Sequence, residues 1–192
     1  MMIHIGTPFA KDEVLAGVVA EKTAVSAFFS NIDDDAFFAA PPQVWSPAEN
    51  LVHLIKSSSP VVMALNLPQM VLRLRFGKAN RASRTLAEVR TEYVEVALAG
   101  GGVAGGPFLP KVNEQSAAEK RCILEKWQEK CEALVQAIGK WSEAELDEHL
   151  LPHPLLGKMT VREILFFTLY HNMHHVNDVQ RLLGLPESEW FG

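Results

Sequence analysis

Cysteine is scarce in this 192-residue chain, with only Cys122 and Cys131 present. The two fall nine residues apart on one predicted helix. At about 100° per residue they point to opposite sides, and they stand on the order of 13 Å apart along the axis. They cannot pair within that helix. They read as small packing residues or free thiols rather than metal ligands, in a reducing compartment. Long apolar runs are missing too. No stretch of about 18 apolar residues occurs, so no membrane-spanning helix is expected. The start, Met1-Met2-Ile3-His4-Ile5-Gly6, lacks the basic residues and apolar run of a signal peptide, and a cytoplasmic location is expected. Basic runs are absent, and the formal net charge is -5. A phosphate backbone wants a basic face, so nucleic acid is not an expected partner. No alternating strand pattern and no repeat at a solenoid period stand out. The chain therefore reads as all-α.

The residues that are there suit one globular domain spanning 1–192. Hydrophobic residues make up 48%, enough for a substantial core at this length. A first helix is predicted over 11–32, with Val14, Val18, Val25, Phe28 and Phe29 at helical spacing and Asp33-Asp34-Asp35 closing it in a charged turn. A second begins at Ser46-Pro47-Ala48-Glu49, a capping box with proline at the first helical position. Its apolar face carries Leu51, Val52, Leu54 and Ile55, with His53 among them, and Pro60 is expected to kink or end it. A further helical piece is predicted over 68–75. The signal weakens from Gly77 to Glu114. Within that region Gly100 to Gly106 reads as a flexible surface connection. A phosphate-cradling loop would need Gly-Lys-Ser/Thr and a strand-loop-helix frame, and both are missing. A third long helix is predicted over 116–141, with Ile123, Leu124, Trp127, Leu134, Val135 and Ile138 facing a core. A short acidic turn or helix and a loop at His153-Pro154-Leu155-Leu156-Gly157 follow. The last helix opens on a second capping box, Thr160-Val161-Arg162-Glu163, and stops before Gly184 and Pro186.

The most telling segment lies in that last helix, His171-Asn172-Met173-His174-His175. Residues four apart stack on one face of a helix, so His171 and His175 share a side with Ile164, Thr168 and Leu182. That spacing lets one helix give two nitrogen ligands to one metal ion. A third ligand from His53 would complete an open site. Two readings stand at this level. Buried imidazoles need partners, and a metal would satisfy them together; ordinary core or surface histidines account for the same spacing. His174 is turned by about 100° from His175 and faces elsewhere. His4, His149 and His153 lie in terminal or loop settings and are expected to be solvated, with a place at the border of the pocket as the alternative for His153. Asp178, at the edge of the histidine arc, either orients a ligand or is a solvated helix carboxylate. Glu49 is explained by its capping box. No general base, and so no catalytic residue, is evident.

Three segments together resemble the DinB/YfiT-like superfamily of metal-dependent proteins. The first is Trp45-Ser46-Pro47-Ala48-Glu49-Asn50-Leu51-Val52-His53-Leu54. The second is His153-Pro154-Leu155-Leu156-Gly157-Lys158-Met159-Thr160. The third is His171-Asn172-Met173-His174-His175-Val176-Asn177-Asp178-Val179-Gln180, with the family's HxxHH pattern. The resemblance covers nearly the whole chain, except that the segment from Gly100 to Gly106 has no counterpart. It implies a four-helix bundle, often a homodimer, and a metal triad of His53, His171 and His175 holding a divalent transition metal, zinc or nickel. It also implies a metal-dependent enzyme, a transferase using a low-molecular-weight thiol such as bacillithiol, mycothiol or glutathione, or a hydrolase, acting on a small electrophilic substrate. The other reading is a non-catalytic metal-binding stress-response protein.

Overall fold

The computed structural model describes residues 3–101 and 105–191. In chain order the elements are α1 (Lys11–Ser30), α2 (Asp34–Phe38), α3 (Pro47–Leu65), α4 (Gln69–Phe76), α5 (Leu86–Thr91), a π-helical turn (Glu92–Leu98), a 3-10 turn (Gly106–Phe108), α6 (Ala117–Gly139), α7 (Glu143–Glu148), β1 (Leu150–His153), β2 (Gly157–Thr160) and α8 (Val161–Leu182). The chain is mostly helical. Of the four long helices, α1 and α3 each pack against both α6 and α8. Leu51, Leu54, Trp127, Ile138, Leu165 and Phe166 are fully buried between them. Burial of each such side chain contributes about 1.5–3 kcal/mol. Gly17 lets α1 approach α8, since a Cβ there would lie 3.0 Å from Ile5 and 3.4 Å from Leu169.

Local chemistry sets the starts of the two helices that carry the histidines. At α3, the Ser46 hydroxyl accepts from the Glu49 N–H and Glu49 accepts in return from the Ser46 N–H, with Pro47 at the first position. Asn50 Nδ2 donates to the carbonyls of Trp45 and Ser46, both at 3.1 Å, and ties the entry segment to the helix. At α8, Thr160 and Glu163 form the same reciprocal pair. Glu163 is also gripped by Arg81 and Arg84. Burial opposes its ionisation, but the hydrogen bonds from the two arginines outweigh this and hold its carboxyl at about 2.

Several expectations are corrected. The first helix stops at Ser30, because the Asp33 side chain accepts from the Asp35 N–H and starts α2 instead of closing a charged turn. Pro60 does not end α3, which continues five residues beyond it to Leu65. The segment before α8 is a hairpin rather than a plain loop. In it β1 and β2 pair antiparallel, Leu150 facing Thr160 and His153 facing Gly157, and Gly157 supplies a φ of 69° at the turn. The last helix does not have a single inward face, for nearly every residue from Val161 to Gln180 is buried. The hairpin and α5 pack against it as well as α1 and α3. The C-terminal tail covers it too, Asn177 and Ser188 exchanging hydrogen bonds through side chain and backbone at 2.9 and 3.1 Å. Both cysteines are free, Cys131 buried and Cys122 half-buried. Among the described residues no helix is long and apolar enough to cross a membrane.

Candidate metal centre

Packing of α3 on α8 brings His53 to the His171/His175 pair. His171 Nε2 lies 3.3 Å from His53 Nε2 and 3.2 Å from His175 Nε2. All three residues are buried. Two of the rings are fixed from behind. His53 Nδ1 lies 2.8 Å from the Phe108 carbonyl oxygen. His175 Nδ1 lies 2.9 Å from Asn50 Oδ1 and 3.1 Å from Asp178 Oδ2. The Asn50 amide is oriented by its Nδ2, which is already committed to Trp45 and Ser46, so its oxygen faces the imidazole.

These partners decide the tautomers. A carbonyl and a carboxylate only accept, so Nδ1 of His53 and of His175 carries the proton, and in the neutral ring Nε2 is then a bare lone pair. Burial, with repulsion from His175 added, holds His53 down at about 4 despite the Phe108 hydrogen bond. Burial and the neighbouring His175 and His53 push His171 well below the ordinary histidine range. Two lone pairs thus face the one Nε2 of His171, and a single N–H there can serve only one of them, while the Ser57 hydroxyl, 3.3 Å from His53 Nε2, can serve the other. A cation at the centre would instead take all three Nε2 atoms at once. The spacing fits as well, since nitrogens at about 2.0–2.1 Å from a tetrahedral ion stand about 3.3–3.4 Å apart. The three-histidine group could hold a metal ion.

Aromatic rings wall the group. The half-buried Trp45 ring lies 4.9 Å from His53 and stacks at 5.9 Å on His175, while Phe167 stacks at 5.0 Å on His171. All three histidines line a cavity of about 960 Å³. Ser57 Oγ, on the same cavity wall, is 3.3 Å from His53 Nε2.

Of the other residues singled out from the sequence, Asp178 takes the orienting position behind His175. Burial works against its charge, but the His175 hydrogen bond and nearby positive groups keep its carboxyl below the usual range. Glu49 is occupied by its capping box. His174 stacks on Tyr170 and lies 3.8 Å from Asp178. His4 is exposed, as expected. His149 is not solvated, and His153 is half-buried at the border of the pocket, as the sequence allowed. His149 is buried, with Nδ1 3.1 Å from the Glu145 carbonyl and its edge on Trp141. His153 packs edge-on against Phe167, ring centres 4.2 Å apart, on the cavity wall. Asn50 was detectable three residues before His53, on the same helical face. Phe108 was not, because its contribution is a backbone carbonyl from a 3-10 turn. Of the glycine-rich segment, Gly105 and Gly106 border the cavity, and 102–104 lie outside the described residues.

A search among curated proteins finds no match to the chain. The family profile of the DinB superfamily matches residues 19–179. That span holds all three histidines together with Asn50, Phe108 and Asp178, and the chain belongs to the DinB superfamily.

Proposed function

We propose that this protein is a metal-dependent enzyme, a thiol-dependent transferase or a hydrolase, acting on a small electrophile at His53, His171 and His175. The observation that carries the reading is the convergence of three Nε2 atoms on the wall of a cavity of about 960 Å³. Among the described residues the group has three protein members, and all three border the cavity. Catalytic metal sites keep a position open in this way, whereas structural sites close with four protein ligands. A divalent metal held by neutral imidazoles, zinc or nickel, supplies Lewis acidity and lowers the pKa of a thiol or water.

The rest is the work of the chain itself. Phe108, Asn50 and Asp178 hold the His53 and His175 rings in the Nδ1–H tautomer, so that both Nε2 lone pairs stay available. Trp45 and Phe167 limit the directions from which water and reactants approach. The Ser57 hydroxyl is placed to hydrogen-bond a reactant beside His53. A homodimer is the assembly that goes with this reading, and light scattering checks it as about twice the 21.3 kDa chain mass.

The test is turnover by the zinc- or nickel-loaded protein. A chromogenic aryl halide is offered with glutathione, bacillithiol or mycothiol, and a nitrophenyl ester is offered with water. A rate that needs the metal and disappears in His171→Ala supports the reading. Metal held at full occupancy with no rate for any pair would leave a non-catalytic metal-binding protein.

A further inference from the structure

The cavity beside the triad is built for one kind of molecule. Its walls are mostly apolar, with Leu72, Phe76, Phe108 and Phe167 among the lining side chains. Among the described residues no Asp or Glu lines it. Two polar side chains on the wall are already committed, the hydroxyls of Ser58 and Thr168 donating to the Leu54 and Ile164 carbonyls. Beside Ser57, which lies at the triad, Arg75 and His153 are wall residues that keep a donor to offer. Arg75, on α4, is the one lining residue with a permanent charge, and it has no ion-pair or hydrogen-bond partner among the described residues. His153, on β1, has its tautomer fixed by the hairpin turn. Its Nδ1 accepts from the backbone N–H groups of Leu155 and Leu156 at 3.2 and 3.1 Å. An imidazole whose Nδ1 accepts carries its proton on Nε2, so His153 presents an Nε2–H donor. The two elements that carry Arg75 and His153 pack against each other.

We infer that the cavity binds an apolar organic anion, with its hydrocarbon or aromatic body on the apolar walls and its anionic oxygens accepting from Arg75 and from His153 Nε2–H. Complementarity of charge selects it. A cationic ligand would find no carboxylate among the described wall residues and would face Arg75. A guanidinium can meet a carboxylate or sulfonate with two parallel N–H groups. The inference deepens the enzymatic reading by naming the class of substrate, and it rests on that reading only for what the triad then does to the bound molecule.

The test uses metal-free protein, so that its result is independent of whether the triad takes a metal. Two fluorescent probes share one apolar body, anilinonaphthalene sulfonate with an anionic group and phenylnaphthylamine without it. The wild type binds both, the anion about tenfold more tightly. Arg75→Gln abolishes that preference and leaves the neutral probe unchanged. His153→Phe, which keeps a flat ring and removes the donor, weakens the anion alone, and His153→Gln restores part of it. Val61→Trp narrows the cavity and weakens both probes while circular dichroism shows the fold intact. The inference is overturned if neither probe binds, if the anion's preference survives both Arg75→Gln and His153→Phe, or if Val61→Trp binds both probes as tightly as the wild type.

Discussion

Replacing Glu163 by Gln would cut the tie between the start of α8 and the segment that precedes α5. Glu163 is fully buried. Its Oε1 accepts from the Arg84 N–H at 2.7 Å and from Arg81. Its Oε2 accepts from Arg81 at 2.8 Å, and from Arg84 and the Thr160 N–H, both at 3.0 Å. The carboxyl is thereby held at about 2, against an ordinary 4.5. A depression of that size contributes on the order of 3 kcal/mol at neutral pH. The folded pKa lies below the unfolded one, so the contribution is complete above the ordinary carboxylate range and is lost as pH falls toward 2. Asp147 and Glu143, which pair with Arg162, are depressed as well, so their contributions are also lost as pH falls. Only the difference between wild type and Glu163→Gln isolates the one group. Urea unfolding measured from neutral pH down to about pH 3 should give a gap of about 3 kcal/mol that holds until the ordinary carboxylate range is reached and narrows below it. A gap that stays constant, or none at neutral pH, would refute the assignment of this clamp to Glu163.

Other substitutions probe separate parts of the structure. Asn50→Leu removes one acceptor behind His175 and should weaken zinc binding by about 10–100-fold in chelator competition, with the fold retained. Gly17→Val places a branched side chain where a Cβ already meets Ile5 and Leu169, and should lower stability by about 1–3 kcal/mol in urea unfolding. Cys131 is buried and its thiol is pushed up by that burial, so only Cys122 should react with a thiol reagent in the native protein, with Cys131 following on denaturation.

What the sequence disclosed was local. Ser46 and Thr160 announce the starts of α3 and α8 because a capping box is complete within four residues. The His171/His175 pair follows from helical pitch alone, and bringing His53 to it needed the family resemblance. What escaped depends on contacts distant in sequence. The strand Leu150–His153 is too short for an alternation to register and contains Pro152. His149 and His153 look like loop residues until Trp141 and Phe167 pack on them. Glu163 is legible as a capping residue, but its grip on Arg81 and Arg84 spans about eighty residues of chain. The all-round burial of α8 comes from the hairpin and the C-terminal tail, which no periodicity within the helix encodes.

The most direct measurement is the metal content of protein purified without added metal or chelator, set beside the triple variant His53→Ala/His171→Ala/His175→Ala. About one transition-metal ion per chain in the wild type and none in the folded variant is the expected result. No metal in either protein, even after reconstitution with zinc and nickel, would contradict the metal centre and leave His53, His171 and His175 as hydrogen-bonded core residues.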